Sequence, residues 1–157
     1  TVHASPDQPA TLIYTNTQGT SVTVQLPTGA VSESILLAYT ERITLPSAPP
    51  SGFQFGNKLF ELDAFGSNGL IENFHFQRPI TLTISYTDAD VAALDEANLQ
   101  MSYFNQSASQ WQNDGITIIE RDLANNRITF TITHLTRFGL FGPPQASYRY
   151  YMPLVIR

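Results

Sequence analysis

The chain has 157 residues, a net charge of −5 at pH 7 and 13% charged residues, about half the usual charged share. Its length predicts a single domain with one core. The basic residues are spread without a cluster, which argues against nucleic acid or an anionic membrane as a partner. The absence of cysteine excludes disulfides and thiolate chemistry. The sequence contains no run of roughly 18 apolar residues, so it predicts no membrane-spanning helix.

Residue usage favours an exported protein. The chain contains 17 threonines and 12 serines against a single lysine, Lys58, a pattern typical of exported bacterial proteins. It also starts at Thr1 rather than at a methionine, as expected after removal of a signal peptide or for a piece of a longer protein. We therefore expect an extracellular or cell-surface location.

Strand-like patterns recur along the chain, with turn residues between them. Strict alternation of apolar and polar residues predicts strands at 20–26 and 79–86. Further strands are predicted at 10–15, 34–45 (one bent strand or two), 59–65, 99–105, 115–121, 127–135 and 138–141. The proline- and glycine-rich residues 46–58 are predicted to form a loop.

One helix is predicted near residues 88–97, where Thr87 caps the first amides and Val91 and Leu94 form a short apolar face. Such a short helix depends on packing for its stability. Together the elements predict an all-β fold, an antiparallel β-sandwich with this one short helix. We assign residues 1–10 to an N-terminal arm, 11–146 to the sandwich and 147–157 to a C-terminal tail strand.

The tail is too apolar to remain in water. Either it docks as a last strand on its own domain, or it adds to the sheet of a neighbouring copy. The polar N-terminal arm is a second segment that can reach a neighbour. The predicted partner-contact residues in the tail are Tyr148, Tyr150, Tyr151, Met152, Leu154 and Ile156.

His134 is the first candidate for chemistry. Alternation in the strand 127–135 places it on the same face as Phe130 and Ile132, so the imidazole is predicted to point toward the core. Burial keeps an imidazole neutral at pH 7, and a neutral imidazole near the Thr136 hydroxyl can deprotonate an oxygen nucleophile. The structural alternative is that His134 is a core histidine and Thr136 a turn residue.

Residues 134–141 (HLTRFGLF) resemble the His-Leu-Thr/Ser motif of the autoproteolysis-inducing domain of adhesion receptors. They are also similar to the His-Phe-Ser motif of ZU-type β-sandwich domains in ankyrin-, netrin-receptor- and death-domain proteins. Residues 22–31 (VTVQLPTGAV) and 74–86 (FHFQRPITLTISY) resemble two strands of the ZU-type domains. Residues 86–96, followed by Tyr103, Phe104 and Trp111, look like a bacterial surface-protein version of the module.

In the cleaving members, this resemblance implies a single-turnover self-cleavage. Thr136 would be the nucleophile, His134 the general base, and Leu135 would supply the scissile carbonyl. An N-to-O acyl shift would form an ester that water hydrolyses. The ZU-type domains that do not cut imply a structural module instead.

Trp111 lies in a polar stretch, residues 105–114, that is predicted to be an exposed loop. With Tyr103 it forms a candidate carbohydrate-binding pair, because flat aromatic rings stack on sugar faces. The alternative is that Trp111 is a lid over the edge of the core.

Asp88, Asp90, Asp95 and Glu96 form the one acidic cluster of the sequence. Calcium prefers such oxygen ligands, but helix capping already accounts for the first two aspartates. We predict no metal site and no cofactor.

These observations favour a non-enzymatic function. We expect an exported bacterial structural module that joins copies of itself or other cell-surface proteins, as a fibre subunit through its terminal strands. The first alternative is an autoproteolytic domain that cleaves its own Leu135–Thr136 bond. The second alternative is a carbohydrate-binding adhesin.

Overall fold

The computed structural model describes residues 1–146, which form two antiparallel β-sheets packed against each other. The strands of this range are β1 (Val2–Ala4), β2 (Ala10–Thr15), β3 (Ser21–Leu26), β4 (Ile35–Arg42), β5 (Gln54–Gly66), β6 (Gly69–Leu70), β7 (His75–Ser85), β8 (Gln100–Asn105), β9 (Gln110–Gln112), β10 (Thr117–Asp122), β11 (Arg127–His134) and β12 (Arg137–Gly142). One sheet has the order β1-β4-β5-β12-β8-β9, with β6 beside β5, and the other has the order β10-β11-β7-β3-β2. The predicted antiparallel β-sandwich is confirmed.

The five-stranded sheet follows the alternation of its sequence. Successive side chains of a strand point to opposite faces, so one set enters the core and the other meets solvent. Val24, Leu82 and Phe130 are fully buried on the inner face of three neighbouring strands. On the outer face, the hydroxyls of Thr83 and Thr129 lie 3.1 Å apart.

Strand β12 is the centre of the seven-stranded sheet and is buried on both faces. On one face, the Phe138 ring stacks on Phe60 with 5.6 Å between ring centroids. On the other face, Phe141 is covered by Phe55 and by Trp111, whose ring centroid lies 4.8 Å away. The predicted short last strand is therefore a principal element of the core.

The prediction of a helix at 88–97 is wrong. Residues 88–93 form successive turns, followed by a 3-10 helix, Glu96–Asn98. The cap at Thr87 exists, because the Asp90 amide donates to the Thr87 hydroxyl at 3.2 Å. So short a helix depends on tertiary contacts for its stability. Here the Gln145 backbone amide donates to the Ala93 carbonyl at 2.8 Å, so a distant residue binds the carbonyl that a helix would use internally.

Three further segments differ from the expected boundaries. Residues 2–4 of the predicted arm pair with β4, so they belong to the sandwich. Strand β9 lies inside the predicted loop at 105–114, and β5 begins at Gln54 inside the predicted loop at 46–58. The tail at 147–157, with its six predicted contact residues, lies outside the described residues.

Within residues 1–146, no helix is long and apolar enough to cross a membrane.

Candidate functional site

His134 lies at the rim of the core, where β11 ends. The register of β11 and β7 shifts after the pair Ile132–Ile80, and His134 then faces His75. The Tyr103 ring from β8 meets the imidazole edge-on, with centroids 4.4 Å apart and planes at 84°. The imidazole is therefore directed at the opposite sheet and is half-buried at this rim.

The electrostatics of this cluster favour uncharged side chains. Burial lowers the pKa of His134 below its usual 6.5, and the neighbouring His75 lowers it further. Burial also raises the pKa of Tyr103 to about 12. The Tyr103 hydroxyl lies 2.8 Å from Asp114 Oδ1 and 2.9 Å from Gln112 Oε1, both within hydrogen-bond distance. At neutral pH the site therefore presents a neutral imidazole beside a protonated phenol.

Residues 135 and 136 are held by the backbone of three other segments. The Leu135 amide donates to the Phe74 carbonyl at 3.0 Å, and the Thr136 carbonyl accepts from the Leu62 amide at 3.1 Å. The Thr136 hydroxyl donates to the Phe104 carbonyl at 3.3 Å. Within residues 1–146 no hydrogen bond joins this hydroxyl to His134, so self-cleavage stays a prediction of the sequence.

Trp111 packs as a lid on the seven-stranded sheet. Its ring meets Phe104 and Phe141 edge-on, and its indole nitrogen donates to the Ser47 carbonyl at 3.4 Å. The pocket beside it holds about 140 Å³, below the range of about 300 to 1,000 Å³ common for ligand sites. Tyr103 and Phe104 are adjacent in β8 and so point to opposite faces. Tyr103 therefore contacts His134, and the structure does not join it with Trp111 in one aromatic platform.

The four side chains of the acidic cluster, at positions 88, 90, 95 and 96, each have a partner within the protein. Asp88 accepts from the Asn126 amide at 2.8 Å, Asp95 accepts from the Ala97 backbone amide, and Glu96 accepts from the Tyr86 hydroxyl. Within the described part of the chain, no group of three or more His, Cys, Asp or Glu side chains is placed to share a metal ion.

Lys58 is a buried charged residue that the sequence analysis did not select. Lys58 is 8% exposed, and its ammonium donates to the Thr20 hydroxyl at 2.9 Å. The ammonium nitrogen lies 3.4 Å from Asp90 Oδ2. The signal was present, because Lys58 alternates with Phe60 and Leu62 and so falls on the core side of its strand.

The sheet edges differ in how they are protected. Native edge strands are usually short, charged or bulged, which prevents further strands from pairing with them. In the described residues, β1 and β9 have only three residues each, and β10 carries three charged residues and a bulge. Strand β2 (ATLIYT) has six residues and no charge, and Ile13 at its middle is 69% exposed. Among residues 1–146, β2 is therefore the edge strand with the least protection against pairing with a further strand.

No family model matches this chain, and no curated protein matches it. The similarity to ZU-type domains accordingly stays a prediction from the motifs, and the geometry of the sheets and their edges carries the functional argument.

Proposed function

We propose that this protein is an exported extracellular structural module that joins copies of itself by addition of a strand at β2. The observation that carries the proposal is the uncharged β2 edge with the exposed Ile13 side chain. Unpaired amides and carbonyls of such an edge bind an extended segment through backbone hydrogen bonds, and side-chain pockets supply selectivity. The resemblance to non-cleaving ZU-type domains supports the same class of function.

The proposed occupant of the β2 edge is the tail, residues 147–157, of a neighbouring copy. The tail has 11 residues, more than the six that β2 offers, and most of them are apolar or aromatic. Pro153 has no backbone donor, which is tolerated in a strand at a sheet edge. A tail that binds the next copy makes a head-to-tail contact, and such contacts extend into fibres when they do not close into rings.

The two alternatives have less support from the geometry. The Thr136 hydroxyl donates to the Phe104 carbonyl instead of to His134, and the Trp111 ring packs against Phe104 and Phe141 of its own sheet. Self-cleavage and sugar binding therefore stay predictions of the sequence.

The test measures molar mass by light scattering over a wide range of protein concentration. We expect the mass of the parent to rise with concentration, whereas Ile13→Lys stays at the 17.4 kDa of one chain because a lysine in the edge blocks strand addition. The matched control is Ile119→Lys in β10, an isoleucine that is 60% exposed on an edge that already carries charges. This control should associate like the parent.

Deletion of residues 147–157 distinguishes the occupants. Loss of association on this deletion supports the tail, whereas association that depends on Ile13 but survives the deletion would mean that β2 pairs with β2 of a second copy. A parent protein that is monomeric at every concentration would overturn the proposal.

A further inference from the structure

We propose that Lys58 and Asp90 react with each other to form an intramolecular amide bond between Lys58 Nζ and Asp90 Cγ. The bond would be a covalent staple inside the sandwich. This inference does not depend on how copies of the protein associate.

The two side chains meet between β5 of one sheet and the connection that leaves β7 of the other sheet. Lys58 lies in β5 of the seven-stranded sheet, and Asp90 lies in the turns that follow β7 of the five-stranded sheet. Their side chains are 9% and 13% exposed. Both line a cleft of about 420 Å³ that opens to solvent beside Phe55 and Asn57. The two side chains are thus largely buried, and the cleft beside them leads to solvent.

The contact lacks the geometry of a stable buried ion pair. Burying two charges is costly, and only close, well-directed hydrogen bonds offset the cost. Lys58 Nζ lies 3.4 Å from Asp90 Oδ2, longer than the roughly 2.7–2.9 Å of a charge-assisted hydrogen bond. The short hydrogen bond of Nζ goes to the Thr20 hydroxyl at 2.9 Å instead.

The same contact holds the two reacting groups side by side. Lys58 Nζ lies 3.4 Å from Asp90 Oδ2, and the Cγ atom that it attacks is one covalent bond beyond that oxygen, so the fold supplies the proximity that the reaction needs. The Thr87 backbone amide donates to Asp90 Oδ2 at 2.8 Å, which holds the carboxyl group and stabilises negative charge on that oxygen during attack. The Thr20 hydroxyl accepts one N–H of Lys58 and orients the nitrogen.

The reaction balances without a further reactant. One proton passes from the Lys58 ammonium to Asp90 Oδ1, the nitrogen attacks Cγ, the new Nζ–Cγ bond forms, and the bond from Cγ to Oδ1 breaks. One hydrogen from the amine and the hydroxyl group leave together as water through the open cleft. No electron is gained or lost, so the bond forms in a chain without cysteine and in any redox environment.

The experiment is the intact mass of the folded, purified full-length protein, measured after denaturation. We expect a mass about 18 Da below that calculated from the sequence, which corresponds to one lost water. Proteolytic fragments should include a branched peptide that joins Lys58 to Asp90. A parent protein at its full calculated mass, after long incubation in the folded state, would overturn the proposal.

Variants distinguish this bond from other losses of water, such as ring closure at Asp114-Gly115. Asp90→Asn should lose about 17 Da, because ammonia replaces water as the leaving group, and a purely structural ion pair has no such signature. Lys58→Met should keep its full mass. The matched control Glu61→Gln alters the more exposed pair with Arg42 and should show the same deficit as the parent. A deficit that persists in Lys58→Met would contradict the assignment.

Discussion

The Tyr103 ring covers one side of the His134 imidazole, and His75 lies on another side with 5.8 Å between ring centroids. This cover limits the access of water to the imidazole, so its charged form loses solvation. A Cβ atom added at Gly115 would lie 3.6 Å from the imidazole, so this glycine is also close to the ring. The environment of one residue therefore selects its neutral form, whatever further role it has.

The first prediction concerns the titration of His134, followed by NMR of its ring protons. We expect a midpoint below 6.5, because burial disfavours the imidazolium and His75 adds repulsion. In the unfolded chain the group has its ordinary pKa and binds a proton more readily than in the folded state. The contribution of His134 to stability is therefore present at neutral pH and is lost as the pH falls through 6.5 toward the folded midpoint.

Substitutions at Tyr103 provide the control. Tyr103→Ala uncovers the imidazole, so the midpoint should move up toward the ordinary value, whereas Tyr103→Phe keeps the ring and should keep the low midpoint. An unchanged midpoint in Tyr103→Ala would show that desolvation by this ring is not the cause.

At the scale of elements, β12 shows why a strand can be both short and essential. Aromatic rings lie on both of its faces, and Gly139 leaves room for those of Phe141 and Trp111. A Cβ atom at Gly139 would lie 2.8 Å from the Phe141 ring and 3.2 Å from the Trp111 ring. Glycine at 139 therefore lets the Trp111 lid lie directly on the strand.

Gly139→Ala should accordingly lower the free energy of unfolding by about 1–3 kcal/mol, because rigid rings must shift to admit the methyl group. Urea denaturation measures the change. The matched control is Gly66→Ala in β5, where the added Cβ meets only the flexible end of Ile71 at 3.3 Å. That control should change stability by less than about 1 kcal/mol. Equal effects of the two substitutions would contradict the crowding argument.

For the whole molecule, the important feature is that sheet neighbours are distant in sequence. In β3 and β7, Val22 pairs with Ile84, and in β5 and β12, Phe60 pairs with Phe138. Each pairing closes a long loop before it gains any contact energy, and this entropy cost slows folding.

We therefore predict that refolding from denaturant takes milliseconds to seconds rather than microseconds. Stopped-flow fluorescence can follow it, because the single tryptophan, Trp111, contacts Phe141 only in the folded sheet. Refolding within the dead time of mixing, with the full fluorescence change lost, would contradict the prediction.

The sequence by itself determined the strand content and the inward faces. Alternation is a local property of the backbone, so the inward set Ile80, Leu82 and Ile84 and its outward threonines could be read without knowing any partner strand. The same local pattern places Lys58 on the core side of β5. The Val91 and Leu94 side chains are buried as expected, although the helix that was to carry them is absent.

Only the tertiary structure decided which groups meet. Residues 88–93 form turns instead of a helix, with distant contacts such as that of Gln145 with Ala93. The Thr136 hydroxyl donates to the Phe104 carbonyl rather than to His134. The edge position of β2 and the contact of Lys58 with Asp90 likewise follow from the order of strands in the sheets. The physical reason is that these contacts join segments far apart in the chain, and their energy exists only after the sheets have packed.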